Sequence, residues 1–170
     1  MHTTLTPLRV LLSGLLLALP HSVAVAGQRQ QETRANVVTL PPSAFPDLPA
    51  GIRRYLDGRA CKVPQSYVSK APHNVIVGRF FASTQVDTAV LCWSHGRERL
   101  VVFRGNSAQR PITLSEGPIG GYLQGIDSQG TLGYSHVLSV ATRASILRDH
   151  KAFGGPKPPP IDHEGIIDGF

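Results

Sequence analysis

Acidic and imidazole side chains near the end of the sequence are the first candidates for chemistry. His150 precedes the run Asp162-His163-Glu164, and Asp168 follows shortly after it. A carboxylate beside an imidazole can serve as a general base or hold a metal when residues from elsewhere in the chain converge on it. The alternative is a solvated helix start at which Asp162 caps the first turn. Both readings stay open at this point.

A second group of candidates lies at the ends of a predicted hairpin, where Arg79, Asp87 and His95 could form a hydrolase-like cluster. Charged residues are also common at turns. Ser135 lacks the second glycine of a G-x-S-x-G nucleophile motif. The glycines of 117–121 do not lie between a strand and a helix, as a phosphate loop requires. The sequence therefore predicts no catalytic residue, no cofactor and no metal site.

The chain contains two cysteines, Cys61 and Cys92. In an oxidising compartment an even pair indicates a disulfide. The alternative for Cys92 is a small apolar core residue, because it lies in an apolar run ending at Trp93. A redox site would need a C-x-x-C motif, which the sequence lacks. We predict the Cys61–Cys92 disulfide.

The first 26 residues have the three parts of a secretory signal peptide. Arg9 supplies the positive region, residues 10–19 are apolar, and Ala24-Val25-Ala26 offers small residues before a cleavage site. An uncleaved anchor is the alternative, but a membrane-spanning helix needs about 20 apolar residues. We expect cleavage after Ala26, a secreted or periplasmic product, and no membrane anchor after cleavage.

The chain is basic, with 17 Lys and Arg residues against 11 Asp and Glu and a formal net charge of +6. The basic residues are scattered along the sequence. Nucleic-acid binding usually shows clustered bases with interleaved aromatic residues, so this pattern predicts a solvated basic surface and no nucleic-acid partner.

Hydrophobic patterning predicts the elements that would position these residues. Pro49 opens a short helix with Ile52, Tyr55 and Leu56 at helical spacing and Gly58 as its terminator. A β-meander follows, because β-branched and aromatic runs alternate with turn residues. Its strands are predicted at 74–81, 87–93 and 99–104, with shorter candidates at 111–114, 121–126 and 137–141.

A second helix is predicted from Thr142, as N-cap, to Phe153. The segment 156–170 is predicted to be a Pro-rich spacer and a short helix with Ile166, Ile167 and Phe170 on one side. Phe170, apolar and without a polar tail after it, predicts either a docked terminus or a truncated reading frame. The expected organisation is therefore a signal peptide (1–26), a flexible lead (27–45), a single domain (46–155) and this C-terminal segment.

The expected fold class is α+β. A small antiparallel β-sheet of four to six strands should pack with two or three short helices, both principal helices lying against the sheet.

Residues 74–105 resemble one hairpin of the FG-GAP (VCBS, integrin-type propeller) repeat. The matching residues are Gly78, Phe80, Asp87, Ala89 and Val90. Acids in this loop of the family bind calcium, but Arg79, Phe81 and Ser83 stand at those positions here. Calcium takes six to eight oxygen ligands. The resemblance therefore implies a hairpin module without the calcium site, and Asp87 is expected to cap the turn at the start of a strand.

Three functions remain open on the sequence. The leading hypothesis is an exported, non-enzymatic binding module for an unknown protein or small ligand. The alternatives are an extracytoplasmic hydrolase using His150, Asp162, His163 or Asp87, and a secreted inhibitor. The last rests only on analogy with other small disulfide-bonded β domains.

Overall fold

The computed structural model describes residues 35–170, so the predicted signal peptide and residues 27–34 lie outside the described part of the chain. The described part contains two α-helices, α1 (Ala50–Asp57) and α2 (Arg143–Phe153). Its strands are β1 (Ala35–Asn36), β2 (Val38–Leu40), β3 (Val63–Gln65), β4 (Val75–Gly78), β5 (Asp87–Ser94), β6 (Arg97–Phe103), β7 (Ile112–Pro118), β8 (Leu123–Gly125), β9 (Leu132–Tyr134), β10 (Val137–Ala141) and β11 (Gly165–Gly169).

The strands form four small sheets. The largest is the antiparallel meander β4-β5-β6-β7; β2 pairs with β3, and β10 pairs with β11. The remaining sheet has the order β1-β9-β8, in which β1 runs parallel to β9. The coarse α+β class is therefore as predicted, but the strands are distributed over several sheets where the sequence predicted one.

The β5–β6 hairpin organises the meander. Its connecting residues His95 and Gly96 have φ of 51° and 73°, the left-handed values that a two-residue type I′ turn requires. Ser94 is therefore paired with Arg97, and the register continues to Thr88 opposite Phe103. This register places alternate residues of both strands on opposite faces of the sheet.

Each face of the meander carries its own apolar core. One face packs Val90, Val101 and Phe103 against Ile52 and Leu56 of α1. The opposite face packs another set of buried residues, with β10 and β11 contributing to the cluster: Phe80, Ala89, Leu91, Leu100, Val102 and Leu138, flanked by Val140 and Ile166. The central sheet thus separates two environments.

The disulfide joins the loop after α1 to the middle of the meander. Cys61 and Cys92 are bonded, with their Cα atoms 5.3 Å apart. Both residues are buried in the α1-side core. The bond therefore fixes the end of α1 relative to β5.

The two helices pack differently. Ile52 and Leu56 lie four residues apart on one face of α1 and are buried. Thr142 caps α2, as predicted, by accepting a hydrogen bond from the backbone N–H of Ser145 at 3.1 Å. No side chain of α2 is buried. The expectation that α2 packs against the sheet is therefore wrong.

The chain termini differ from the predictions. The end of the predicted flexible lead forms β2, paired with β3, and Phe45 is buried, so flexibility is the wrong prediction for residues 38–45. The predicted C-terminal helix is instead β11, which pairs along its whole length with β10. Ile166 and Ile167 are β-branched and favour a strand, and β10 offers an open edge for backbone hydrogen bonds.

Candidate functional site

Glu98 and Arg99, adjacent residues of β6, belong to two separate polar regions on opposite faces of the sheet. Glu98 shares a sheet face with Leu100 and Val102, whereas Arg99 shares the other face with Val101. Successive side chains of a strand point to opposite faces. Glu98 therefore enters the side covered by β10 and β11, and Arg99 enters the side covered by α1.

On the first side lies a cluster that we call the imidazole cluster: Glu98, Tyr134, His136 and Asp168. Glu98 Oε1 and His136 Nδ1 are 2.6 Å apart. The Tyr134 hydroxyl donates to Glu98 Oε2, and His136 Nε2 pairs with Asp168 Oδ1. One imidazole therefore joins carboxylates from β6 and β11.

Aromatic rings cover this cluster. The Tyr122 ring stacks on His136, with 4.0 Å between ring centroids and 22° between planes. Phe170 meets the Tyr122 ring edge-on at 5.6 Å. The side chain of Phe170 lies close to the cluster even though it is 75% exposed.

The carboxylates control the charge of the imidazole. Burial by itself lowers the pKa of His136, but the hydrogen bonds to Glu98 and Asp168 outweigh it and raise the pKa above the ordinary 6.5. Burial, together with the Glu98 carboxylate, raises the pKa of Tyr134 and of Tyr122. The two carboxylates therefore favour the positive imidazolium, and burial favours the neutral form of both tyrosines.

The imidazole of this cluster is closed to solvent, although Asp168 at its edge is exposed. His136 is 0% exposed, and both ring nitrogens are occupied by carboxylate partners. A general base needs a free nitrogen within reach of a substrate proton. The cluster therefore acts as a clasp that holds the C-terminal strand against the central sheet.

On the opposite face lies an open cavity of about 480 Å³, within the range of small-ligand sites. We call it the arginine cavity. It lies between the end of α1 and the strands β5, β6 and β7 and is lined by Tyr55, Leu56, Gly58, Arg59, Cys92, Ser94, His95, Arg99, Val101 and Thr113. None of these lining residues, all within the described part of the chain, is acidic.

Arg59 supplies the cation of the helix wall. Its guanidinium carbon lies 3.6 Å from the centroid of the Tyr55 ring. At that distance the guanidinium lies over the ring face, a contact that leaves its N–H donors unused. The stacking therefore orients Arg59 and leaves its hydrogen-bonding edge available.

Arg99 supplies the cation of the sheet wall. Its Nη1 donates to Ser94 Oγ at 3.1 Å, and its Nη2 lies 3.1 Å from Glu116 Oε1. Arg97 pairs with the same Glu116 oxygen, and together the two guanidiniums lower the pKa of Glu116. One carboxylate thus serves two arginines, and this wall keeps a net positive charge.

The candidates near the end of the sequence do not converge. His150 Nε2 lies 3.2 Å from the Gly155 carbonyl, and His163 Nδ1 lies 3.1 Å from the Glu164 carbonyl. No hydrogen bond or ion pair within residues 35–170 joins these two imidazoles. Asp162 Oδ1 lies 3.8 Å from Nε2 of its neighbour His163.

Glu164 and Asp168 act elsewhere. Glu164 Oε2 accepts a hydrogen bond from the Arg79 backbone N–H at 2.8 Å and so fastens the C-terminal segment to the end of β4. Asp168 binds His136, an imidazole that the sequence analysis did not weigh.

Asp87 caps the turn before β5, the role expected for it. Its Oδ2 accepts from the backbone N–H groups of Phe80 and Phe81, at 3.0 and 3.1 Å. Its Oδ1 accepts from the Gln85 side chain at 2.5 Å and from the Gly105 N–H at 2.8 Å. Both carboxylate oxygens are therefore occupied by protein donors.

Of the other hairpin and serine candidates, His95 lines the arginine cavity, whereas Arg79 contributes its backbone to the Glu164 contact. Ser135 donates through its hydroxyl to the Tyr122 carbonyl at 2.9 Å.

Sequence reasoning missed Glu98, Tyr134 and His136 as a connected group. One signal for Glu98 was present, because it lies two residues before Leu100 and four before Val102, on the buried side of an alternating strand. No local pattern indicates that Tyr134 and His136 lie opposite it, since these contacts join distant parts of the chain.

No protein family, curated protein or solved structure was found to match this chain. The resemblance of residues 74–105 to an FG-GAP hairpin stays a prediction. Neither α1 nor α2 has the length and apolar character needed to cross a membrane. Within residues 35–170, no group of three or more His, Cys, Asp or Glu side chains is arranged to hold a metal ion.

Proposed function

We propose that this protein is an exported, non-enzymatic binding module whose ligand occupies the arginine cavity. The observation that carries the proposal is that the polar groups of the two regions differ in whether they are free to bind a ligand. The His136 ring is buried and both its nitrogens have carboxylate partners, whereas the arginine cavity is open and has oriented cations.

The partner of Ser94 supports binding over catalysis. A serine nucleophile needs an adjacent general base that removes its proton. The Ser94 hydroxyl instead accepts a hydrogen bond from the Arg99 guanidinium. A cationic donor cannot take up a proton, so this pair is suited to holding a ligand.

The disulfide and the sequence together support export. Disulfides persist in secreted and periplasmic proteins and are rare in the cytosol. The Cys61–Cys92 bond fits that environment, and the tripartite pattern of residues 1–26 provides a route to it.

Ligand-observed NMR can test the binding function, using a mixture of anionic, neutral and cationic small molecules. Thr113→Trp should block the cavity, and Leu114→Trp is the matched control, since Leu114 is exposed on the same strand and does not line the cavity. Compounds that bind the wild type should lose their binding signal with Thr113→Trp and keep it with Leu114→Trp. They should also be recovered chemically unchanged.

Two outcomes would overturn the proposal, the first its site and the second its non-enzymatic function. Binding that Thr113→Trp does not affect would place the ligand elsewhere. Chemical conversion of a bound compound would identify an enzyme, the alternative reading of the sequence.

Export is tested separately by intact-mass measurement of the product from cells expressing the full chain. The proposal expects a product beginning at Gly27. A membrane-bound product that retains Met1 would contradict it.

A further inference from the structure

We infer that the arginine cavity selects a small organic anion, a molecule with a carboxylate or phosphate group on an apolar body. This inference rests on the proposed binding function and specifies its ligand class. Three features of the cavity point to this ligand class: its charge, the orientation of its cations and the chemistry of its floor.

The charge of the cavity favours an anion. Arg59 and Arg99 stand on the helix wall and the sheet wall, and no lining residue is acidic. Guanidinium groups are charged throughout the physiological pH range. Glu116, beside Arg99, is shared with Arg97, so it cannot neutralise both arginines.

Both cations are held in place before a ligand arrives. Tyr55 supports the face of the Arg59 guanidinium, and no ion pair with Arg59 is present among residues 35–170. Ser94 and Glu116 each accept from one Nη atom of Arg99. Groups that are already oriented lose less conformational entropy on binding, and guanidinium edges match the oxygens of carboxylate and phosphate.

The floor of the cavity favours a ligand with an apolar part. Leu56, Cys92 and Val101 line it and belong to the α1-side core. The disulfide ties Cys92 to the end of α1, so this surface is held rigidly. These three side chains are at most 5% exposed, so the apolar surface is small; an organic acid covers it and gains some hydrophobic stabilisation, whereas an inorganic anion does not.

Four probes separate these features by isothermal titration calorimetry on the exported protein: benzoate, its neutral isostere benzamide, phenyl phosphate and inorganic phosphate. We expect benzoate and phenyl phosphate to bind at least tenfold more tightly than benzamide, because a charge-assisted hydrogen bond contributes more than a neutral one. Phenyl phosphate should also bind more tightly than inorganic phosphate. Affinity for both organic anions should fall as the salt concentration rises.

Arg59→Gln should weaken benzoate binding about tenfold, since it removes the charge and keeps part of the hydrogen bonding. Arg54→Gln is the matched control, because Arg54 is exposed on α1, five residues before Arg59, and does not line the cavity. Its affinity for benzoate should change less than twofold. Circular dichroism verifies that both variants keep the fold.

The failures of the two proposals are distinguishable. Equal binding of benzoate and benzamide, or no effect of Arg59→Gln, overturns anion selection. If the probes fail this test of anion selection but Thr113→Trp still abolishes their binding, the proposed binding function stands. Equal binding of phenyl phosphate and inorganic phosphate overturns the role of the apolar floor. The absence of binding by all four probes overturns the inference as a whole.

Discussion

Glu98 and Arg99 are neighbours in the sequence and opposites in the structure. Glu98 is buried, and its two carboxylate oxygens are bound by Tyr134 and His136. Arg99 is 30% exposed at the wall of an open cavity. The two charges lie on opposite faces of one strand, and their surroundings give them different roles.

The difference lies in how completely the protein satisfies each charge. A buried charge whose hydrogen bonds are all made within the fold contributes to structure, and removing one partner leaves the others uncompensated. A charge that keeps donors free at an open surface can bind something else. The comparison therefore predicts large stability effects on the Glu98 side and small ones on the Arg99 side.

Glu98→Ala should have the largest effect. It leaves the buried Tyr134 hydroxyl and His136 without their shared partner, and breaking a buried pair in this way costs about 3–5 kcal/mol in the free energy of unfolding. Urea denaturation monitored by circular dichroism would measure the loss. Glu116→Ala, in the exposed pair with Arg97 and Arg99, is the control and should change stability little. Equal effects of the two substitutions would break the comparison.

Removing the disulfide should come next. Replacing both Cys61 and Cys92 with Ala frees two residues that are 31 positions apart, and the chain-entropy relation gives a loss of about 3–4 kcal/mol. Urea denaturation of oxidised wild type and of the double variant measures it. Alkylation of the unfolded, non-reduced wild type should label no thiol. Labelling of both cysteines would show that the bond is absent.

The imidazole cluster should make stability depend on pH. Because the pKa of His136 is raised in the folded state, the stability from its charge is fully present below the unfolded pKa and is lost as pH rises through the folded pKa. The free energy of unfolding should therefore decline toward alkaline pH. The decline should be smaller than the effect of Glu98→Ala, since a neutral imidazole can still donate one hydrogen bond.

Asp168→Asn sharpens this test. It removes one of the two carboxylates that raise the folded-state pKa of His136, so the decline in stability should be smaller and should be complete at a lower pH than in the wild type. Denaturation series between about pH 5.5 and 9, the range around the ordinary histidine pKa, would compare the two proteins. A wild-type profile that rises with pH would show that His136 does not provide the clasp.

Arg59→Ala should have the smallest effect on stability. Arg59 is exposed, and its contact with the Tyr55 ring contributes less than about 1 kcal/mol. Thermal melting without ligand should therefore hardly change, while benzoate binding is lost. A loss of stability as large as that of Glu98→Ala would mean that Arg59 is a structural residue.

Local sequence patterns predict the hairpin well. The β5–β6 pair was predictable because Ala89–Trp93 and Leu100–Phe103 are strand-forming runs around a short turn with glycine at 96. The C-terminal strand was not predictable, because in so short a segment the spacing of its apolar residues fits a helix as well as a strand. What decides the matter is the open edge of β10, which local patterns do not reveal.

The two candidate sites were harder to predict for a related reason. The imidazole cluster unites residues from β6, β9, β11 and the segment before β10, and the arginine cavity unites a helix end with three strands. Charged residues such as Arg59 and Arg99 look alike in sequence whether they face bulk water or a cavity. Only the tertiary packing distinguishes them.

The irregular pairing at Leu114 has a consequence for how copies of this protein meet. Val101 pairs with Thr113 and Leu100 with Ser115, so Leu114 is an extra residue in β7, which forms one edge of the central sheet. A bulge interrupts the ladder that an incoming strand would copy, and edges of this kind resist aggregation. Deleting Leu114 would therefore restore regular pairing along this strand. The edge of the sheet would then be more prone to self-association.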